Sequence, residues 1–68
     1  MKYEKFDLYK VKGGYNETPS YFDTYENALK EYLSRVKLTR NGFNIEVILS
    51  GRDMRSHAFV TLQWVIIP

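Results

Sequence analysis

The hydrophobic positions between residues 23 and 36 repeat with the period of an α-helix. At ~100° per residue, the apolar side chains of this segment fall within one arc of roughly 140°. These side chains are Tyr25, Ala28, Leu29, Tyr32, Leu33 and Val36. Polar side chains fill the rest of the wheel, among them Glu31 and Arg35, which have the spacing of a surface ion pair. The pattern predicts a helix that lies with one face on the rest of the chain.

Both ends of this segment carry signals typical of helix termini. Asp23 is expected to cap the N-terminus, and Glu26 completes the pattern of a capping box three residues later. Leu38 falls on the polar side of the wheel, so we expect the helix to end near it. Asn41 and Gly42 then indicate a stop, because both residue types tolerate left-handed backbone.

Alternation with a period of two predicts two strands after the helix. The apolar positions of the first strand are Phe43, Ile45, Val47 and Leu49. In the second strand, residues 58–67, one face carries Ala58, Val60, Leu62, Trp64 and Ile66, and the other carries Phe59, Thr61, Gln63, Val65 and Ile67. We expect Trp64 to lie in the core against the helix, and residues 50–57 to form a polar hairpin loop.

The chain before the helix predicts one strand and a possible second. In residues 3–12, Phe6 and Leu8 share one face while Tyr9 and Val11 share the other. This imperfect alternation indicates either a strand covered on both sides or a bulge between Leu8 and Tyr9. Gly13-Gly14 is a turn signal, and residues 15–22 could form a return strand that Pro19 restricts to an edge.

These elements predict an α+β fold. A helix of ~21 Å matches strands of ~23 Å, so one helix can cover one face of a small sheet. We expect a small two-layer domain, with the helix packed on a three- or four-stranded, mainly antiparallel sheet in the order β-(β)-α-β-β. The 68 residues allow a single domain, residues 1–68. Without cysteines, the chain needs its aromatic residues or self-association to supply stability.

The sheet face that the helix leaves uncovered is expected to be unusually apolar. It would carry Ile48, Phe59, Val65 and Ile67, joined by Tyr9 and Val11. A face of this composition is expected to be covered. Two copies could pack these faces together as a homodimer, or one copy could add an edge strand to a neighbour or target. Alternatively, the face stays open and is the docking site of another protein.

The sequence gives little support for catalysis. A pair of nucleophile and base could consist of Ser50 or Ser56 with His57, the one histidine, and Asp53 is nearby in the sequence. All of them lie in the predicted loop, where nothing buries or orients them as a catalytic triad requires. We therefore expect no catalytic residue, no metal site and no cofactor.

The same loop has a second interpretation. Arg52, Met54 and Arg55 are either a solvated hairpin tip or a contact loop, since Arg and Met are enriched at protein interfaces.

Residues 55–62, RSHAFVTL, resemble the sheet signature of the RNA-recognition-motif family, K/R-G-F/Y-G/A-F-V-x-F/Y. The positions that fit are Arg55, Ala58, Phe59 and Val60; those that depart are Ser56, His57 and Leu62. The second helix and fourth strand of that family have no counterpart after this segment. The resemblance implies RNA or single-strand binding, for which the candidate residues are Tyr9, Lys10, Lys12, Arg55 and Phe59.

Taken together, the sequence favours a small, non-enzymatic binding protein that acts by stoichiometric contact with another protein. Size and composition are similar to those of accessory proteins of bacteriophages and mobile elements, which inhibit or redirect a host protein. The alternative is nucleic-acid binding, which a net charge of +2 permits without favouring. The charged N-terminus and the lack of an apolar span predict a cytoplasmic protein with no membrane contact.

Overall fold

The computed structural model describes residues 5–68, which form one helix packed on a four-stranded antiparallel sheet. The elements are β1 (Phe6–Gly13), β2 (Asn16–Phe22), α1 (Tyr25–Leu38), β3 (Ile45–Asp53) and β4 (Phe59–Ile67). The predicted α+β class and element order are confirmed, and the return strand before the helix is present as β2. Tyr3 and Glu4, which the predicted first strand included, lie outside the described residues.

The strands lie in the order β2-β1-β3-β4, and each neighbouring pair is antiparallel. Since β2 and β3 both run opposite to β1, they are parallel to each other, and α1 connects them across the face of β1. The helix therefore packs on β1, β2 and β3 and makes little contact with β4. This topology leaves β4 at an edge of the sheet that the helix scarcely covers.

The helix begins one residue later than predicted and ends at Leu38, near which its end was predicted. Thr24 has extended backbone and its hydroxyl accepts a hydrogen bond from the Asn27 amide at 3.2 Å, so Thr24 rather than Asp23 is the N-cap. At the other end, the amide and hydroxyl of Thr39 both donate to the Arg35 carbonyl, at 3.0 and 2.5 Å. The helix thus ends at Leu38 and is capped by Thr39, ahead of the stop signal at Asn41 and Gly42.

A register shift in β1 decides which of its side chains face the helix. The shift lies between Phe6 and Leu8, so Phe6 falls on the same side as Tyr9 and Val11. All three side chains are buried in the core. The bulge is therefore one position earlier than predicted, and Tyr9 and Val11 do not belong to the uncovered face.

A second register shift, between β3 and β4, reverses the predicted faces of the last strand after Leu62. Ser50 pairs with Thr61 and Leu49 pairs with Gln63, which leaves Leu62 as an extra residue in β4. Beyond Leu62 every side chain changes sides relative to strict alternation. Trp64 consequently faces away from the helix with 54% of its surface exposed, and its prediction as a core residue was wrong.

The same shift carries Val65 and Ile67 to the helix side. Val65 pairs with the fully buried Val47, and Ile67 is itself buried. Their placement on the uncovered face was therefore wrong. The buried apolar core consists of Phe6, Tyr9, Val11, Ala28, Tyr32, Val47, Leu49 and Ile67.

Two further sequence predictions fail at strand ends. Phe43 was expected in the β3 core pattern, but it precedes the strand and is highly exposed. Residues 50–57 were expected to form the hairpin loop, but residues 50–53 belong to β3, which continues to Asp53. The connection to β4 is therefore a short turn at residues 54–58.

Candidate functional site

The sheet face opposite α1, called here the outer face, carries several exposed apolar side chains of the strands. Direct pairing places Ile48 between Lys12 and Trp64, and places Arg52 beside Phe59. The outer face comprises Leu8, Lys10, Lys12, Tyr21, Glu46, Ile48, Ser50, Arg52, Phe59, Thr61, Trp64 and Ile66. Ile48 and Phe59 thus lie on the uncovered face as predicted, and Trp64 and Ile66 take the places expected of Val65 and Ile67.

Trp64 is held in place by a polar contact on the neighbouring strand. Its indole nitrogen donates to the Glu46 carboxylate at 2.7 Å. The bond satisfies the one polar group of the indole, while much of the ring remains exposed to water. A fixed aromatic ring on a rigid strand is the kind of side chain that anchors protein interfaces.

Two cations of the outer face are already engaged within the chain. The Lys10 ammonium lies 4.3 Å from the centroid of the Phe59 ring, in a cation–π contact. The Arg52 guanidinium forms two hydrogen bonds of 3.0 Å with the Asp7 carboxylate. This pairing holds the pKa of Asp7 below its ordinary value, chiefly through the hydrogen bond from Arg52. The outer face is therefore an apolar centre surrounded by charges of both signs.

The turn between β3 and β4 is fixed by hydrogen bonds. The Asp53 carboxylate accepts from the amides of Arg55 and Ser56, at 2.8 and 3.2 Å, and these bonds lower the pKa of Asp53. The Ser56 hydroxyl accepts from the Ala58 amide at 3.2 Å, and His57 adopts a left-handed conformation with φ of 62°. Because Asp53 and Ser56 bond the turn backbone, these contacts give both side chains a role in shaping the turn.

The three predicted contact residues of this region are separated by the structure. Met54 and Arg55 are exposed on the turn, whereas Arg52 lies on β3 and faces the outer side of the sheet. The structure does not bring them together into one contact loop.

The residues expected to contact nucleic acid are divided in the same way. Tyr9 is buried in the core, so its ring cannot stack on a base. Lys10, Lys12 and Phe59 share the outer face, whereas Arg55 lies on the turn that precedes β4. The exposed aromatic rings that share a face with these lysines are Phe59, Trp64 and Tyr21.

Arg35 is buried, although the helical wheel predicts a surface position for it. Its guanidinium uses all five N–H groups, and its side chain is fully buried. The acceptors are the Glu31 carboxylate, the carbonyls of Gly13, Asn16 and Thr18, and the Ser20 hydroxyl, at 2.8 to 3.1 Å. Arg35 thus joins the helix to the β1–β2 hairpin.

The helical wheel contained a weak signal for this burial. Arg35 lies only ~20° beyond Ala28, at one border of the apolar arc, and Leu33 lies at the other border. In the structure Arg35 and Ala28 are fully buried while Leu33 is mostly exposed. The helix is therefore rotated toward Arg35 relative to the centre of the apolar arc.

Residues 5–68 contain no group of three or more His, Asp or Glu side chains placed to bind a metal ion. Within this same range, α1 is too short and too polar to cross a membrane.

Comparison of the chain with protein-family models gave no match, and comparisons with curated proteins and with solved structures gave none either. The resemblance to the RNA-recognition motif is accordingly confined to residues 55–62.

Proposed function

We propose that this chain is a non-enzymatic binding protein whose docking surface for another protein is the outer face of its sheet. The observation that carries this proposal is the exposure of Trp64 at the centre of an apolar strip, with Ile48 beside it on β3. On β4, Ile66 extends the strip on one side of Trp64, and Phe59 lies on the other side beyond Thr61. A contiguous exposed apolar patch on a small domain is typical of a site of interaction with another molecule.

The composition of the outer face suits a protein partner. Interfaces have an apolar centre, with aromatic residues enriched and a polar rim that excludes water. Trp64 and Ile48 form such a centre, while Lys10, Lys12 and Arg52 contribute to the rim. An accessory protein that inhibits or redirects a host protein would act by binding it through this face, one chain per partner.

The experiment compares Trp64→Ala with Phe43→Ala as a matched control. Both remove a large exposed aromatic side chain, but Phe43 lies outside the sheet. Proteins captured from a nuclease-treated lysate by the immobilised chain would be identified, purified and titrated calorimetrically against each variant. We expect binding at one partner per chain, at least ~10-fold weaker for Trp64→Ala and unchanged for Phe43→Ala. Equal affinity of both variants would show that the outer face is not the docking surface.

A second candidate function is binding of single-stranded nucleic acid, favoured by one observation. Phe59, Trp64 and Tyr21 share the outer face with Lys10 and Lys12, and aromatic rings beside lysines are a stacking platform for bases. Fluorescence anisotropy with labelled single-stranded RNA and DNA tests this function directly. Binding that falls steeply with salt and is lost in Trp64→Ala would favour nucleic acid over protein as the partner.

A further inference from the structure

The two edges of the sheet differ in how they are protected from further strand pairing. At β2, Pro19 lacks an amide donor, and the carbonyls of Asn16 and Thr18 accept hydrogen bonds from Arg35. These are recognised ways of preventing a further strand from joining an edge. A strand added at β2 would lack a hydrogen-bond donor at Pro19, and the carbonyls of Asn16 and Thr18 already accept hydrogen bonds from Arg35.

The β4 edge has none of these protections. Its nine residues, FVTLQWVII, include no charged residue and no proline. An edge strand presents backbone donors and acceptors along its outer side, and charges or prolines normally discourage their use. The bulge at Leu62 is the one irregularity within the strand.

Apolar side chains project from both sides of this edge. Val60 pairs with Gly51, which pairs with Tyr9, so Val60 lies on the helix side of the sheet. It is nevertheless 42% exposed, because α1 scarcely reaches β4. Trp64 and Ile66 are exposed on the opposite side. A strand added here would therefore cover apolar groups above and below the sheet.

We propose that β4 pairs antiparallel with β4 of a second copy of this chain, to form a continuous eight-stranded sheet. A partner strand at this edge has to be uncharged and apolar on both sides, and β4 itself meets that requirement. Self-pairing brings no like charges together within the two strands. A two-fold pairing uses up the edge on both copies, and the protected β2 edges then end the assembly.

The symmetry of this pairing determines where the helices and the outer faces of the two copies lie. Identical strands that pair antiparallel in one sheet are related by a two-fold axis perpendicular to the sheet. Both helices then lie on one side and both outer faces on the other. With the axis at Gln63, the middle residue of β4, Trp64 of each copy lies close to the axis and the two outer faces form one continuous surface.

The expected interface is small. Nine residues span ~30 Å and a sheet layer is ~10 Å thick, so each edge offers roughly 300 Å² in projection. The flanking side chains, such as Val60 and Trp64, bring the total for two copies toward the ~1,000 Å² at the lower limit of specific interfaces. We therefore expect a dimer with a micromolar dissociation constant.

The first test measures the wild-type chain by sedimentation velocity between about 1 and about 300 µM, which brackets a micromolar equilibrium. Hydrogen exchange is followed at the two ends of this range. We expect a monomer–dimer equilibrium in which amides of β4 become protected at high concentration while those of β2 do not. A monomer at every concentration, or a dimer without added protection in β4, would overturn the proposal.

The second test compares Val60→Lys with Tyr21→Lys. Each substitution adds one positive charge at an exposed position of an edge strand, on β4 and β2 respectively. We expect Val60→Lys to weaken dimerisation at least ~10-fold and Tyr21→Lys to leave it unchanged. The reverse result would indicate dimerisation through the outer faces, since Val60 lies on the helix side. Protection of β4 only when a different protein is added would assign the edge to that protein instead.

Discussion

Replacement of Arg35 tests how strongly the helix holds the β1–β2 hairpin. Arg35→Met keeps much of the side-chain length but removes all five donors. The lost bonds are those to three backbone carbonyls, one hydroxyl and one carboxylate. Four of these bonds reach the hairpin between Gly13 and Ser20, so its position against α1 depends on this group.

The expected magnitude follows from the number of bonds and their surroundings. A hydrogen bond to a charged group contributes ~1.5–3 kcal/mol, and a neutral one about half of that. Asn16 and Thr18 are exposed, so water can replace Arg35 at their carbonyls, and the lower figure applies there. The five contributions are not additive, because the bonds share one side chain, and removing one partner of a buried charged pair costs ~3–5 kcal/mol. We therefore expect Arg35→Met to reduce the free energy of unfolding by ~3–5 kcal/mol. That approaches the total of ~3–10 kcal/mol expected for a domain of this size.

Because Arg35→Met could unfold the chain, Arg35→Lys provides the measurable variant. A lysine ammonium has three donors on one atom and cannot span the five acceptors, so we expect a loss of ~2–3 kcal/mol. Lys37→Met, which removes an exposed charge from the same turn of the helix, is the control and should cost less than ~0.5 kcal/mol.

The assay is urea unfolding followed by far-ultraviolet circular dichroism, with hydrogen exchange of the β2 amides as a local readout. We expect β2 to lose protection first in Arg35→Lys, since the hairpin loses its attachment to α1. If Arg35→Lys and Lys37→Met have equal unfolding free energies and equal β2 exchange, the guanidinium does not hold the hairpin.

Three further predictions concern single residues. Gly13→Ala should reduce the free energy of unfolding by well over ~2 kcal/mol, because the φ of Gly13 is 94° and a Cβ would collide with the Glu46 carbonyl. Gly42→Ala is the control: φ is 110° there but the space is open, so the loss should be only ~1 kcal/mol in the same urea assay. Trp64→Ala should change the unfolding free energy by less than ~1 kcal/mol, and native fluorescence should be that of an exposed indole; a loss of ~3 kcal/mol would mean that Trp64 is a core residue after all. The pKa of Asp53 is lowered from 3.8, so its stabilising effect is complete above pH 3.8 and is lost as pH falls through the lower folded value. The difference in melting temperature between the wild type and Asp53→Asn should therefore shrink below pH 3.8, and a difference independent of pH would contradict this role.

Local patterns in the sequence determined the class of the fold and the order of its elements. The periods of the helix and strands reflect interactions between residues near in the chain, and the turn signals at Gly13-Gly14 separate β1 from β2. Pro19 correctly indicated an edge position for β2. The apolar composition of Ile48 and Phe59 also indicated part of the face that the helix leaves uncovered.

Only the tertiary structure decided which side chains share each face. The extra residue at Leu62 is accommodated in the pairing of β4 with β3, and this shift moves Trp64 outward and Val65 and Ile67 inward. A strand's own alternation contains no information about such a shift, because the bulge is a property of two paired strands. Arg35 is buried for a similar reason. Four of its five acceptors lie 15 to 22 residues away, on a hairpin that meets the helix only in the folded chain.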